Sequence, residues 1–307
     1  MADLGRCRLL TREIVKNDLI NSITYVLVDC DGVLWRANNP IPGSSEALSL
    51  LRKMGKKVRF VTNNSSKSRH GYLSKLHQLK FEANIDEIFT APYCVVLYLK
   101  QRNFSGKIYL VGTTGLQQEL NEAGFTTLPI GPDTTGPDWL KWCLEDVKLE
   151  TGVKAVVCGF DEHISFYKCL KAATYLKDSN CLFLATNTDE TYPCSNTEIV
   201  VPGSGSMLAA VTTAAMRKPT VVGKPEQYMV DCIKYGCPDL KPANTLMVGD
   251  RLNTDILMGC RAGMKTLLVG SGIHGLDDVR KLVSEGKHNE LPDFFVPKLG
   301  DMLDMLA

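Results

Sequence analysis

Residues 25–36, which read Tyr-Val-Leu-Val-Asp-Cys-Asp-Gly-Val-Leu-Trp-Arg, decide the fold that the sequence predicts. Tyr25 to Asp29 form a short β-branched and aromatic run that ends before a glycine, which is typical of a buried strand. Side chains alternate along an extended backbone, so Asp29 and Asp31 point together into the space beyond the strand. Two carboxylates this close repel each other unless a cation or a shared proton lies between them. The stretch therefore predicts either a metal site or an acid/base pair.

The Asp-x-Asp-Gly run of residues 29–32 has two other interpretations. A calcium loop needs an oxygen ligand at its fifth position, glycine at its sixth and an acid at its twelfth. These positions hold Val33, Leu34 and Pro40, so a calcium loop is excluded. On this motif alone an ordinary acidic turn stays open, and the rest of the chain decides between such a turn and a functional site.

Length and composition bound the class of protein. The chain has 307 residues, more than the roughly 250–300 at which single cores stop growing, so two domains are expected. Its net charge is +1, with 35 basic and 34 acidic residues, which gives no reason to expect nucleic acid or a membrane as partner. Neither a signal peptide nor an apolar run of ~20 residues is evident, so a soluble, cytoplasmic protein is expected. The eleven cysteines lack a Cys-x-x-Cys pair and suit reduced thiols.

A second strand with a polar end follows the first. Val58 to Thr62 is apolar up to its last residue, and a polar run continues through residue 66. Helices are predicted on either side of this strand, over about 44–54 and 69–80. Strand, polar end and helix thus alternate, and they do so again in the last third of the chain. This alternation predicts an α/β fold with a doubly wound parallel sheet, in which ligands bind beyond the carboxyl ends of the strands.

The chain divides into two domains in this interpretation. Residues 103–202 contain strands and helices of their own and form a self-contained α/β unit, which we interpret as an inserted cap domain. The core domain is then discontinuous and comprises residues 1–102 and 203–307. An insertion at this point places the cap beside the strand ends, where it can close over a ligand.

Four strand ends of the predicted core sheet carry polar side chains, and parallel strands bring them to one edge. The strand at 220–223 leads into Lys224, and the strand at 245–248 leads into Asp250 and Asp255. Together with the groups that follow the first two strands, these make four carboxylates, one amine and one hydroxyl. Magnesium prefers hard oxygen ligands, and lysine balances the charge of a phosphate. The set predicts a magnesium site that holds a phosphoryl group.

Competing motifs for phosphate or acyl chemistry are absent from the sequence. It contains no Gly-x-x-x-x-Gly-Lys-Ser/Thr loop, and the glycine run at 203–208 lacks the third glycine of a dinucleotide-binding turn. A Gly-x-Ser-x-Gly elbow is also missing, which argues against a serine hydrolase of the usual kind.

Four motifs, taken in order, resemble the haloacid dehalogenase (HAD) superfamily of phosphatases. They are Asp29-Cys-Asp-Gly-Val-Leu-Trp, Phe60-Val-Thr-Asn-Asn-Ser-Ser, Gly223-Lys-Pro and Val248-Gly-Asp-Arg-Leu-Asn-Thr-Asp. The resemblance spans most of the chain, and no motif position departs from the pattern. The large cap between the second and third motifs, with Asp161-Glu-His, is similar to the branch that holds phosphoglycolate phosphatase, pyridoxal phosphate phosphatase and 4-nitrophenylphosphatase.

The resemblance implies a role for each motif residue. Asp29 would attack phosphorus and become an aspartyl phosphate. Asp31 would act first as general acid and then as general base. Thr62, Asn63 and Lys224 would bind the phosphoryl oxygens and stabilise charge in the transition state.

The resemblance also implies Mg²⁺ as the cofactor. Its ligands would be the Asp29 carboxylate, the Asp31 main-chain carbonyl and Asp250, and Asp255 would orient Asp250 or a metal-bound water. His163 in the cap would contribute to substrate specificity, although a surface or structural role for this histidine stays open.

The predicted function is magnesium-dependent hydrolysis of small phosphate monoesters. A non-catalytic protein that binds a phosphorylated ligand is the alternative from another class, but such a protein would not need both Asp29 and Asp31. The core motifs favour 2-phosphoglycolate as substrate, with 4-nitrophenyl phosphate as an artificial one, whereas the cap motif favours pyridoxal 5′-phosphate. Cap domains of the resembled branch often pair, so a homodimer through the cap is expected.

Overall fold

Two parallel β-sheets organise the protein. The computed structural model describes residues 3–133, 138–192 and 198–306. In these ranges the strands are, in chain order, β1 (Arg8–Leu9), β2 (Tyr25–Val28), β3 (Trp35–Arg36), β4 (Asn39–Pro40), β5 (Lys57–Thr62), β6 (Ile88–Thr90), β7 (Lys107–Val111), β8 (Thr126–Thr127), β9 (Val153–Cys158), β10 (Leu182–Ala185), β11 (Thr191–Tyr192), β12 (Val201–Pro202), β13 (Thr220–Val221), β14 (Thr245–Gly249), β15 (Lys265–Val269) and β16 (Phe294–Val296).

Helices connect most of these strands. The longer ones are α1 (Ser44–Lys53), α2 (Arg69–Gln78), α3 (Ala91–Gln101), α4 (Thr114–Glu122), α5 (Phe166–Tyr175), α6 (Ser204–Ala215), α7 (Gln227–Gly236), α8 (Leu257–Ala262) and α9 (Leu276–Ser284). Short helical segments cover Arg12–Ile14, Val15–Leu19, Ile20–Ser22, Ile85–Glu87, Trp139–Lys141, Trp142–Asp146, Pro242–Asn244, Leu252–Ile256, His288–Glu290, Leu299–Met302 and Leu303–Leu306.

The first sheet, called the core sheet below, confirms the predicted doubly wound fold. Its strand order is β1-β16-β15-β14-β2-β5-β6, and the neighbouring strands are parallel. From β2 the chain moves outward through β5 and β6, and it later returns to β14 on the other side and continues to β15 and β16. The strand order therefore reverses between β2 and β14, which is where ligands bind in such sheets.

The central strand of the core sheet is buried on both faces because its side chains alternate between two hydrophobic clusters. Val26 and Val28 pack in one cluster with Leu51 of α1 and Leu76 of α2. Leu27 packs in the other cluster with side chains of α3 and α7. Full burial of an aliphatic side chain stabilises the fold by about 1.5–3 kcal/mol, so β2 is a rigid base for the two acids that follow it.

The second sheet, called the cap sheet below, has the order β13-β10-β9-β7-β8 and is also parallel. One face packs against α5 and α6. From the other face, Ile108 of β7 and Val157 of β9 join the cluster that contains Leu27 of the core sheet. The cap is therefore docked on the core through a shared hydrophobic interior.

The predicted end of the cap at residue 202 does not match the strand pairing. The sequence places the strand before Lys224 in the core sheet, but β13 pairs with β10 of the cap sheet, with Thr220 opposite Leu184. Helix α6 also belongs to the cap, because Met207 and Leu208 pack against the cap sheet. The sequence of a strand this short does not indicate which strand it pairs with. The observed pairing extends the cap to about Val221.

Two antiparallel strand pairs lie at the margins of the core sheet's carboxyl edge. Strands β3 and β4 pair in the segment that follows Asp31. In the cap, β11 pairs with β12, and we call this pair the cap hairpin. None of the helices in the described part of the chain combines the length and apolarity that crossing a membrane requires.

Candidate active site

Asp29 lies directly beyond β2, at the point where the strand order reverses. Its main-chain N–H donates to the carbonyl oxygen of Val248 in β14 at 2.9 Å, so the strand pairing continues through this residue. Its carboxylate is buried, and Oδ1 accepts a hydrogen bond from Lys224 Nζ at 2.5 Å. A buried carboxylate persists in charged form only when it is paired, and Lys224 supplies the partner.

Lys224 reaches this site from the cap side, just after β13. Its main chain is fixed by Asn63, whose Oδ1 accepts from Lys224 N at 2.7 Å and whose Nδ2 donates to the Lys224 carbonyl at 2.9 Å. A Cβ atom on Gly223 would lie 2.2 Å from the Thr186 carbonyl oxygen and 2.6 Å from Asn63 Oδ1, so glycine is required for this approach. The sequence places Asn63 on the phosphoryl oxygens, whereas in the structure its amide clamps the lysine.

Three buried carboxylates converge around the lysine. Oxygen atoms of Asp29, Asp250 and Asp255 all lie within 4.8 Å of one another. Asp255 Oδ1 is 2.7 Å from Lys224 Nζ, and its Oδ2 accepts from the N–H of Arg251 at 3.1 Å. Asp255 thus belongs to the carboxylate cluster and contacts the lysine, a closer involvement than the supporting role that the sequence predicts.

Glycines make room for Asp250. A Cβ atom on Gly272 would lie 1.9 Å from Asp250 Oδ2, and one on Gly32 would lie 2.3 Å from the same oxygen. Asp250 Oδ2 also accepts from the N–H of Ile273 at 2.9 Å. Backbone from two loops therefore closes directly around this carboxylate, which holds it in one position.

The electrostatics of the cluster call for an additional cation. Burial raises the pKa of Asp29 well above its ordinary value, although the ammonium of Lys224 opposes the shift. Burial, followed by the charge of Asp255, raises the pKa of Asp250 to about 7. Burial lowers the pKa of Lys224, but the charges of Asp255 and Asp29 outweigh it and raise that pKa. When all three carboxylates are ionised, they exceed the one ammonium by two negative charges, which a divalent cation with oxygen ligands would balance.

Asp31 faces a different set of partners, which lie on the core side of the site. Its Oδ1 accepts from Trp35 Nε1 at 2.8 Å. Its Oδ2 accepts from Tyr72 OH at 3.2 Å and from Asn64 Nδ2 at 3.3 Å. Lys75 Nζ lies 3.8 Å from Oδ1 and 4.3 Å from the centre of the Trp35 ring. The two acids of the first motif thus have separate environments, as a nucleophile and an acid/base would need.

The cleft between the core and the cap is small and polar. Thr62 Oγ1 lies in its wall and accepts from the N–H of Asn64 at 3.1 Å. The cavity measures about 50 Å³, enough for a few water molecules or one phosphoryl group, since a water needs at least roughly 10–15 Å³. The cap contributes Phe160, Asn187, Asp189, Thr191 and Tyr192 to its lining.

The structure brings together all the predicted core residues of the site. The cleft is lined by Asp29, Asp31, Thr62, Asn63, Lys224, Asp250 and Asp255. His163 stands apart, since its side chain is 64% exposed on a cap loop and does not line the cleft. The neighbouring Asp161 is buried and pairs with Lys168 Nζ at 2.6 Å, which fixes this loop to α5.

Sequence reasoning missed the groups that surround Asp31 and those that the cap supplies. Tyr72 and Lys75 lie three residues apart on α2, so they share a helix face, but nothing in their spacing indicates that this face meets an acid. Asp189 is another such residue: it is partly buried, and its Oδ1 accepts a hydrogen bond from Asn63 Nδ2 at 3.2 Å.

Comparisons with known proteins agree with this geometry. Residues 26–126 match the haloacid dehalogenase-like hydrolase family, and residues 221–302 match the HAD-hydrolase-like family. Glycerol-3-phosphate phosphatase of Mus musculus is 41% identical over 99% of this chain and 97% of its own. Chronophin of Homo sapiens is 36% identical over 99% of both chains.

Solved structures show the same fold. The p-nitrophenyl phosphatase from Archaeoglobus fulgidus superposes with a TM-score of 0.77 at 26% identity, over 92% of this chain and 98% of its own. A glycerol phosphate phosphatase from Mycobacterium tuberculosis, solved in complex with magnesium, gives 0.72 at 25% identity, over 92% and 77%. With relatives this similar along its whole length, and with residues of the family's four motifs lining one cleft, the chain belongs to the haloacid dehalogenase-like hydrolases.

Proposed function

We propose that the protein is a magnesium-dependent phosphatase that hydrolyses small phosphate monoesters through an aspartyl phosphate on Asp29. The observation that carries this proposal is the contact between Asp29 and Lys224 beside two further buried carboxylates, at the strand-order reversal of the core sheet. A site that only bound a phosphorylated ligand would be stabilised by cationic side chains. The cluster of acids found here would repel such a ligand, unless a metal ion neutralises their charge and the reaction uses them.

The residues of the site fit a magnesium ion. The carboxylates of Asp29 and Asp250 and the main-chain carbonyl of Asp31 would hold it, and Asp255 would share in the cluster. Bound magnesium would neutralise charge on the phosphoryl oxygens. The glycerol phosphate phosphatase from Mycobacterium tuberculosis, which has the same fold, was solved in complex with magnesium, and this supports the choice of metal.

The chain's own residues then divide the reaction into two displacements. An Asp29 oxygen attacks phosphorus and forms a new P–O bond, while the bond to the leaving alcohol breaks and Asp31 gives its proton to that oxygen. In the second step Asp31 takes a proton from water, the water oxygen bonds to phosphorus, and Asp29 is released with inorganic phosphate. Lys224 and Thr62 stabilise the charge that develops on the phosphoryl oxygens.

For the substrate, we infer a short polyol phosphate, with glycerol 3-phosphate as the first choice. Asp189 lines the cleft together with the hydroxyls of Thr191, Tyr192 and Ser204, and a carboxylate beside hydroxyls suits the hydroxyl groups of a substrate, which both donate and accept. A carboxylate on the substrate, as in the predicted 2-phosphoglycolate, would meet Asp189 with like charge. The relatives at 39–41% identity that are named glycerol-3-phosphate phosphatases support the same choice.

Pyridoxal 5′-phosphate is the second candidate, and one observation favours it. The rings of Phe160 and Tyr192 lie 5.5 Å apart at the cap side of the cleft, where they could stack against an aromatic substrate. Chronophin at 36% identity is a relative of this chain as well. The small cavity favours the smaller substrate.

Turnover measurements test both the reaction and the substrate. We expect hydrolysis of 4-nitrophenyl phosphate that requires Mg²⁺ and is lost in Asp29→Asn. Among 2-phosphoglycolate, glycerol 3-phosphate and pyridoxal 5′-phosphate, we expect the highest kcat/KM for glycerol 3-phosphate. Asp189→Asn should shift this preference toward 2-phosphoglycolate, and His163→Ala should leave it unchanged because that side chain is exposed. A tenfold preference for pyridoxal 5′-phosphate in the wild type would overturn the substrate choice.

We also propose a homodimer that forms through the cap. Exposed apolar side chains cluster there: Trp139 is 56% exposed and contacts Phe166, also 56% exposed, at 5.8 Å between ring centres. Leu140 and Leu144, one helical turn apart, are 50% and 75% exposed. A second copy related by a two-fold axis would cover this surface. Sedimentation should show a dimer for the wild type and a monomer for Phe166→Glu, and a monomeric wild type at micromolar concentration would reject the proposal.

A further inference from the structure

We propose that Tyr192 of the cap hairpin is a positioning residue for Asp31 and that it acts through the side-chain amide of Asn64. The inference rests on the proposed function, in which Asp31 protonates the leaving alcohol. It assigns to a cap residue a part in placing the acid of the core, so that the acid is fully placed only when the cap hairpin is seated.

The amide of Asn64 has one chemically consistent orientation. Its Oδ1 accepts from the N–H of Ser66 at 2.9 Å and from the hydroxyl of Ser66 at 2.7 Å. A carbonyl oxygen has two lone pairs, so these donors occupy the acceptor side of the amide. The NH₂ group must therefore face the other way, where it donates to Asp31 Oδ2 at 3.3 Å and to Tyr192 OH at 2.9 Å. Asn64 is thus a rigid bridge between the acid and the cap.

The cap hairpin presents the Tyr192 hydroxyl from a defined position. The Tyr192 ring packs against Phe160, which belongs to a different cap loop, at 5.5 Å between ring centres. The carbonyl oxygen of the preceding residue, Thr191, accepts from Arg251 Nη2 of the core at 2.8 Å. Contacts on both sides of the cleft therefore decide where the hydroxyl lies.

The other partners of Asp31 come from the core. Trp35 donates to one carboxylate oxygen and Tyr72 to the other, and Lys75 lies near the first. These contacts do not depend on the cap. The bridge through Asn64 adds the link to Tyr192, so that displacement of the cap hairpin removes one of the restraints on the acid.

This arrangement predicts an effect that depends on the leaving group. An alkoxide is a strong base and leaves only when Asp31 delivers a proton, whereas 4-nitrophenolate leaves without one. Because kcat/KM covers the steps up to phosphoryl transfer, it reports the acid role of Asp31 and excludes its later role as base. Misplacing Asp31 should therefore lower kcat/KM for an alkyl phosphate more than for 4-nitrophenyl phosphate.

The experiment compares two substrates in each variant. For Tyr192→Phe, which keeps the ring and removes the hydroxyl, we expect kcat/KM to fall about tenfold for the alkyl monoester that the wild type hydrolyses best, within the range of acid–base contributions. For 4-nitrophenyl phosphate we expect a fall of less than about threefold. The ratio of kcat/KM for the alkyl monoester to kcat/KM for 4-nitrophenyl phosphate is independent of how much of the variant is folded. As a matched control, Tyr175→Phe removes a cap hydroxyl that accepts from the N–H of Glu150 at 2.9 Å and should leave the ratio at the wild-type value.

A double-mutant cycle tests the route through Asn64. If Tyr192 acts through this amide, Asn64→Ala should lower the ratio at least as far as Tyr192→Phe, and the double variant should go no further than Asn64→Ala alone. Additive effects, or an equal fall for both substrates in Tyr192→Phe, would overturn the inference while the phosphatase function stands. A wild type that hydrolyses no phosphate monoester would overturn the proposed function and this inference together.

Discussion

In the absence of magnesium, the stability of the protein should fall as the pH rises from 5 to 7. The cause is Asp250, whose pKa is raised to about 7 by burial and by the charge of Asp255. Because the folded-state pKa lies above that of the unfolded chain, the folded state holds a proton over this window that the unfolded state has already lost. The stabilising contribution of the neutral carboxyl is therefore complete below about pH 4 and is lost as the pH approaches 7.

The size of this effect follows from the shift. Between an ordinary pKa near 4 and a folded value of about 7, stability changes by about 1.4 kcal/mol per pH unit and levels off at the upper end. From pH 5 to pH 7 the expected loss is roughly 2 kcal/mol. His274 acts in the opposite direction, since burial lowers its pKa, and a low folded-state pKa makes stability rise with pH in that region.

A comparison with Asp250→Asn separates the two residues. The asparagine oxygen can still accept from the N–H of Ile273, while the ionisation is removed and His274 is retained. In urea unfolding with EDTA at pH 5, 6 and 7, the free energy of unfolding of the wild type should fall relative to that of the variant. The expected difference between pH 5 and pH 7 is roughly 2 kcal/mol. Magnesium should restore the wild type increasingly as the pH rises, because it competes with the proton, and should not stabilise the variant. Equal pH trends in the two proteins would refute the reasoning.

Three further substitutions test other parts of the site. Lys224→Met should lower kcat about 100- to 1000-fold, as for the loss of other electrostatic groups in transition states, and activity within tenfold of the wild type would contradict its role beside Asp29. Asn63→Ala removes both hydrogen bonds to the Lys224 main chain and should lower the free energy of unfolding by about 2–4 kcal/mol; a change below about 1 kcal/mol in urea titrations would mean that the clamp is not needed. Gly272→Ala should weaken magnesium binding, measured by calorimetry, because the new Cβ atom would displace Asp250, whereas Gly275→Ala, where nothing lies within 4 Å, should not.

Most of the core site could be predicted from sequence because its geometry is local. Asp29 and Asp250 directly follow buried strands and Thr62 ends one, and parallel strands must deliver such residues to one edge. The reversal between β2 and β14 then brings Asp29 and Asp250 together without any long-range information about side chains. The family motifs added the roles of these residues.

The remaining parts depend on pairing that the sequence does not encode in a readable form. Thr220 and Val221 make too short a strand to indicate whether it joins the core sheet or the cap sheet, and the prediction that it joins the core sheet is wrong. Lys224 nevertheless reaches Asp29 and Asp255 because the cap packs across the strand ends. Asn63 shows a related limit: an amide at a strand end suits a phosphate, and only the structure shows that both of its ends are engaged by Lys224.

The surroundings of Asp31 were not predictable for the same reason. Trp35, Tyr72 and Asn64 come from three different segments, and none of them is part of a charge pattern. In the cap, the motif residue Asp161 forms a buried ion pair with Lys168. Asp189 and Tyr192, which belong to none of the motifs, line the cleft.

The central claim is that Asp29 is the nucleophile, and trapping the intermediate tests it most directly. Wild-type protein mixed with 4-nitrophenyl phosphate and Mg²⁺, quenched in acid within one turnover and digested, should carry a phosphoryl group on the peptide that contains Asp29. The same treatment of Asp29→Asn should give no phosphorylated peptide and no turnover. Phosphate on a different residue of the wild type, or undiminished turnover in Asp29→Asn, would contradict the account.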